Sequence, residues 1–190
     1  SLRYRGYDAI ELTKNSTYEA VASLVINDSL DEADYKKSFS KYYLQISKDK
    51  NLNQLLEEVK EKLSPMDVIR TVVSYMGELT TLMKKKLDNQ DKVELTARIN
   101  ATVCYIIASY HKDDCDELDD SYLVASSMLP NNSNKEKIEA LDDMLILYAE
   151  HGFNASTFAA RVTASTRSDL TSAIVSGIGT LKGELHGGAN

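Results

Sequence analysis

Along most of this 190-residue chain apolar side chains recur every three or four positions, the spacing of one helix face. The opening LRYRGYDAIEL predicts a short extended piece that turns at Gly6 into a helical turn. Asn15-Ser16-Thr17 offers caps for a helix over 18–26, with Val21, Leu24 and Val25 on one stripe. Ser29-Leu30-Asp31-Glu32 predicts a second start, running to about Ile46. Leu52, Leu55, Leu56 and Val59 mark a helix over 51–62. Ser64-Pro65 is the clearest start: a capping serine, proline at the first helical position and Asp67 in the first turn. That helix is expected to pass Gly77 and end near Lys86. Helices over 92–109, 121–129, 135–150, 155–163 and 168–181 complete the set. With no alternating strand ladder and no internal repeat, the pattern predicts an all-α fold.

Composition narrows the class further. The chain carries two prolines and eight glycines, too few for a turn-rich β-sandwich. A net charge of −7 argues against a nucleic-acid backbone as main partner, and Lys84-Lys85-Lys86 reads as the solvated end of a helix. No apolar run reaches membrane-spanning length. Cys104 and Cys115 stand in no metal-like spacing and read as free thiols of a reducing, cytoplasmic compartment. Sequons at Asn15, Asn27, Asn100 and Asn154 carry little weight without a signal peptide. The acidic stretch 113–120 lacks the glycine and spacing of a calcium loop, so no metal is expected.

Candidate chemistry lies near the C-terminus. Of three histidines, His111 sits beside Lys112 and the acidic stretch and reads as a surface residue. His151 follows a strongly apolar helix in LYAEHGFNASTF, beside Asn154, Ser156 and Thr157. Those polar groups either cap the next helix or hold a small polar or anionic ligand. His186 precedes Gly187-Gly188, which let backbone or ligand approach closely. The helix over 169–181 is rich in small residues (Ser172, Ala173, Ser176, Gly177, Gly179), fitting a close helix contact within the chain or between subunits.

At these residues the sequence resembles the citrate synthase family. LRYRGYDAIEL is similar to its L-x-Y-R-G-Y-D segment, and TYEAVASLVINDSL to F-E-E-V-A-x-L-L-x-x-G-x-L-P, with Asp28 for the glycine and Asp31 for the proline. SPMDVIRTVVSYMG is similar to H-P-M-D-V-L-R-T-x-V-S-x-L-G. LYAEHGFNASTFAARVTASTRSDLTSAIVSGIGTLKGELHGGAN follows the family's D-H-x-x-N-A-S-T-F…G-x-L-K-G-P-L-H-G-G-A-N almost without gaps. The resemblance implies an acyltransferase, with neither metal nor redox cofactor, that condenses acetyl-CoA with oxaloacetate to citrate at the start of the tricarboxylic acid cycle. It implies that His186 donates a hydrogen bond to the thioester carbonyl as the enol forms, and that His151 and Asn154 bind oxaloacetate. It also implies a homodimer, which shifts the reading of 169–181 towards a subunit contact.

Departures from the family pattern matter as well. Arg167 stands where the family has glycine. Glu184 replaces a proline two residues before His186, placing there a carboxylate that favours a charged imidazole. Tyr148 occupies a position where the 2-methylcitrate synthase branch, which uses propionyl-CoA, often carries tyrosine. By the resemblance the chain is the first part of a large helical domain. The small domain, the coenzyme A loop, a second histidine, the aspartate base and most oxaloacetate-clamping arginines are expected beyond Asn190. A non-catalytic helical dimerisation module is the competing reading.

Overall fold

The computed structural model describes residues 2–77, 88–111, 118–150 and 152–189. The all-α expectation holds among them, with one addition: Arg3–Tyr4 (β1) and Tyr7–Asp8 (β2) pair antiparallel. Arg5 and Gly6, both at positive φ, form the turn between them. The described residues form the α-helices α1 (Ala9–Asn15), α2 (Tyr18–Asn27), α3 (Ala33–Ser47), α4 (Lys50–Lys60), α5 (Pro65–Tyr75), α6 (Asn89–Ala108), α7 (Leu123–Met128), α8 (Lys135–Tyr148), α9 (Ala155–Ser165) and α10 (Leu170–Leu181). The start of α3 differs from expectation. It begins at Ala33, and Glu32 at its cap makes no side-chain capping bond. Ser29 and Asp31 instead accept from Asp31 N and Ala33 N within the preceding turn. The helix from Pro65, expected to pass through Gly77, instead ends at Tyr75, where Met76 caps it through its N–H to Val72 O and Ser74 O. Lys84–Lys86 and most of the acidic stretch, with Cys115, lie outside the described residues. Cys104 is buried and in no disulfide, and His111 is exposed, as expected.

The chain divides into two compact bodies, residues 1–49 with 88–151 and residues 50–87 with 152–190. In the first, α3 lies along α6. Tyr35, Phe39 and Tyr43, spaced by four, form a buried stack that ends edge-on against Tyr105. Ala97, Ala101 and Ala108 of α6 are fully buried, and such small side chains let the helices come close. A second cluster joins Tyr4, Ala9, Leu12, Val21, Leu24 and Ile146. Inside it the Tyr4 hydroxyl reaches the carbonyls of Ile146 and Leu147, at 2.8 and 2.9 Å, in the last turn of α8, where carbonyls lack intrahelical partners. Arg5 reaches Val25 O at the end of α2 in the same way, 2.9 Å away. Asn100 of α6 donates to the hydroxyls of Tyr35 and Tyr18, tying α3 and α2 to α6.

The second body packs α10 against α9 and α5, and α4 against α5. Ser64 caps α5 as the sequence predicts, accepting from Asp67 N. Asp67 then links three elements. Its carboxylate accepts from Ser64 Oγ (2.7 Å), pairs with Arg70 (2.8 Å) and meets Lys182 Nζ just past the end of α10 (2.6 Å). Lys182 first, and Ser64 next, hold this carboxyl below the usual range.

Asp28 and Arg167, where the resemblance leads glycine to be expected, both sit in the left-handed region. Asp28 ends α2 at φ 57° and Arg167 follows α9 at φ 63°. Arg167 N donates to Ala164 O, the reverse-turn bond that usually has glycine at this position. Asp28 is offset by an ion pair with Arg5 (3.0 Å), and aspartate tolerates the region better than most residues. No such contact is present at Arg167 among the described residues. Arg167→Gly is therefore expected to raise the unfolding free energy by about 0.5–1 kcal/mol, relief of the left-handed strain outweighing the flexibility that glycine adds to the unfolded chain. Denaturant melts of the two proteins check the sign; a lower midpoint for the glycine variant contradicts it.

Candidate functional site

The site residues come from the two ends of one helical hairpin, α9 and α10. Asn154 precedes α9 in extended conformation, and its Oδ1 accepts from Thr157 N at 2.7 Å. It is a side-chain N-cap, so the capping alternative raised by the sequence is realised. The same oxygen lies 2.8 Å from Ser156 Oγ, as one of two acceptors within reach of that hydroxyl.

His186 reaches this cap from the other end of the hairpin. Past Leu181 the chain makes tight turns: Gly183 N donates to Thr180 O, and His186 N and Gly188 N both donate to Gly183 O. The turn is closed by contact between backbones. A Cβ on Gly187 would lie 2.6 Å from Leu181 O, and one on Gly188 would lie 2.5 Å from Lys182 O. Those are immovable backbone atoms, so both positions admit only glycine. The turn leaves Leu185 fully exposed and the imidazole half-buried, with His186 Nε2 3.0 Å from Ser156 Oγ. Gly177 faces Ser156 O and Ala160 at 3.5 and 3.7 Å, so part of the small-residue face of α10 serves the α9–α10 contact inside the chain.

The result is a chain of three side chains, Asn154, Ser156 and His186. The Ser156 hydroxyl has one proton and two neighbours able to take it. Directed at Asn154 Oδ1, it leaves Ser156 Oγ to accept from His186 Nε2–H. Directed at His186 Nε2, it leaves a neutral imidazole with its proton on Nδ1, a donor available to a ligand. Ser156 therefore couples the helix cap to the imidazole tautomer. The sequence placed Ser156 among groups that cap the next helix or hold a ligand, without linking it to His186; its signal was its position two residues after Asn154 in N-A-S-T-F. Of the residues expected in the site, His186 and Asn154 are brought together, while His151 lies outside the described residues. Glu184 is exposed, where water screens its charge. Tyr148, at the end of α8, is likewise exposed. Among the described residues no group of acids, histidines or cysteines could hold a metal ion, and no helix is long and apolar enough to cross a membrane.

Residues 1–190 match the family described as "Citrate synthase, C-terminal domain". The chain is 36% identical to a 2-methylcitrate synthase of Shewanella oneidensis and 36% identical to a citrate synthase of Haloferax volcanii, covering 100% of this chain and 52% and 53% of the relatives. It spans about half the length of the curated relatives it matches. Among solved structures it is similar to the citrate synthase of Pyrobaculum aerophilum, with a TM-score of 0.75 at 27% identity, over 98% of this chain and 50% of that one. The fold also matches a Thermoplasma acidophilum citrate synthase solved as a ternary complex with carboxymethyl coenzyme A and oxaloacetate (TM-score 0.80, 24% identity, over 98% of this chain and 51% of that one). With the family match running from the first residue to the last, on an all-α fold whose HGG turn presents His186 to the cap of α9, the chain belongs to the citrate synthase family.

Proposed function

We propose that this chain is the helical part of an enzyme that condenses an acyl-CoA with oxaloacetate, releasing coenzyme A. The observation that supports this most directly is the His186–Ser156 contact at 3.0 Å above a turn that only glycines can make. Deprotonating the methyl carbon of a thioester places negative charge on the carbonyl oxygen, and a neutral hydrogen-bond donor aimed there lowers the barrier. His186 supplies that donor through Nδ1–H, the tautomer obtained when Ser156 donates to Nε2. Asn154 and His151 contribute to oxaloacetate binding in the same reading. The base that takes the methyl proton, and the cations for the oxaloacetate carboxylates, are expected by family resemblance from the half of the relatives' length that this chain does not span. Acetyl-CoA is the proposed acyl donor. Propionyl-CoA is the second reading, supported by Tyr148 and by the relatives named 2-methylcitrate synthase. A cytoplasmic location belongs to the same reading.

A homodimer through helices that include residues 169–181 completes the proposal. Supporting it, α9 has no buried residue, and Phe158 and Val162, one helical turn apart, stand exposed on it. Purified chain is expected to scatter light as a dimer or larger at high concentration; a monodisperse monomer counts against this interface.

Thiol release tests the chemistry. In the whole enzyme, His186→Ala is expected to lower kcat by 10²–10³-fold, on the order found for losing one such donor. Ser156→Ala, which removes the tautomer control without touching substrate, is expected to lower kcat about tenfold with KM nearly unchanged. Retention of near-normal kcat by the alanine variant of His186 contradicts the assigned role. The 190-residue chain alone is expected to release no coenzyme A from acetyl-CoA and oxaloacetate, since it spans only about half the length of its relatives.

A further inference from the structure

In the first body, remote in sequence from the His186 turn, two carboxyl groups are buried where no ordinary partner neutralises them. Glu19 of α2 has no exposed surface. Its Oε1 accepts from Val124 N at 2.8 Å, capping α7, whose own cap residue Tyr122 makes no side-chain capping bond. Its Oε2 is buried and has no hydrogen-bond partner. Asp142 of α8 is 2% exposed, and both its oxygens accept from Tyr18 N, at 3.1 and 3.2 Å, at the start of α2. These two acids thus hold α2 to α7 and α8.

The groups facing them are mostly acidic or neutral. Tyr18 comes from α2 itself, and Glu32 with Lys36 from the start of α3. Asp143 comes from α8, and Tyr122 from the segment before α7. Tyr35, Cys104 and the neutral Asn100 surround Tyr18. Lys14 and Glu139 line the cleft that Asp142 borders. Both lysines are already engaged, Lys36 with Glu32 at 2.6 Å and Lys14 with Glu11 at 2.8 Å. An ionised Glu19 would keep one oxygen without any donor and place its charge beside a second acid, an arrangement that a proton relieves.

We propose that Glu19 and Asp142 form a proton-dependent clasp: the body closes with protons held on this pair, and their loss as pH rises loosens the joints of α2 with α7 and α8. Electrostatics agrees with the geometry. Burial pushes the Glu19 carboxyl up, against the N–H groups of Val124 and Glu19 and the Lys36 charge, which lower it, with the Glu32 charge adding least. Burial likewise pushes Asp142 up to about 7, with Glu19, Asp143 and Glu32 adding and the Tyr18 N–H opposing. A carboxyl whose pKa is raised by folding gives stability that is complete below its unfolded value and lost as pH rises through its folded value. For Asp142 that window runs from about 4 to about 7, with its upper edge near neutrality.

The test is urea unfolding of the 190-residue chain at pH 6 and pH 8.5. Wild type is expected to lose about tenfold in its folding equilibrium constant between them from Asp142 alone. Asp142→Asn, which keeps one acceptor for Tyr18 N, is expected to lose less than about threefold, and Glu19→Gln to flatten the profile in the same direction. Profiles for both variants parallel to wild type overturn the proposal. Where a variant does not fold, wild type decides through carbon-13 carboxyl shifts: Asp142 titrating near 7 and Glu19 above free glutamate support the clasp. Both titrating with the free amino acids overturns it.

Discussion

Helix ends are the constraint on which this structure turns. The ten helices of the described residues leave many backbone N–H and C=O groups without intrahelical partners, and buried ones must be paired. Several are paired by side chains from other elements. Tyr4 serves the carbonyls that end α8, and Arg5 the end of α2. Asp142 serves the start of α2, and Glu19 the start of α7. Each such bond fixes one helix end against another element, so pairing the backbone and assembling the helices become the same event. The N-terminal hairpin owes its place to this: two residues per strand would not persist alone, but Tyr4 and Arg5 anchor it to α8 and α2.

The candidate site is a specialised case of the same device. Asn154 begins as an ordinary cap of α9, and through Ser156 its oxygen joins one hydrogen-bonded chain with His186. A capped helix end is a rigid place from which to aim a hydroxyl, since Asn154 Oδ1 is already held by Thr157 N. On the opposite side, the close contact of Gly187 and Gly188 with the last carbonyls of α10 leaves the loop little freedom. Lys182 and Asp67 then tie that end of α10 to the start of α5. The imidazole is positioned by backbone sterics on one side and a helix cap on the other.

This explains what could be read in advance. Local signals were legible: the Ser64-Pro65 start, the Asn154 cap, and the stripes that place Val21, Leu24, Leu52 and Leu56 inside. The HGG turn was recognisable because glycine there reflects a local clash, and His186 came with it. Pairings made between distant segments were not legible. Nothing in T-Y-E-A says that Glu19 caps a helix 105 residues later, and an acid at that place in a helical stripe reads as solvent-facing. The start of α3 was misplaced for a related reason: Ser29 and Asp31 carry capping chemistry, yet spend it within the turn before the helix.

The same logic bears on Asp28 and Arg167. A left-handed residue after a helix is set by backbone geometry, so the conformation persists when the side chain changes, and the substitution is absorbed as strain or by a new contact. Asp28 takes the second course through Arg5, which already holds the end of α2 at Val25 O; one guanidinium therefore both pairs the orphan carbonyl and steadies the residue that follows it. Arg167 takes the first course, closing α9 through its N–H to Ala164 O. The turn after α9 leads directly into Asp169, the cap of α10, whose carboxylate accepts from Ser172 N. Strain at Arg167 is thus stored between two capped helix ends, in the connection that sets how α10 lies on α9. Since α9 presents Ser156 and α10 carries His186, that connection also fixes the 3.0 Å contact between them.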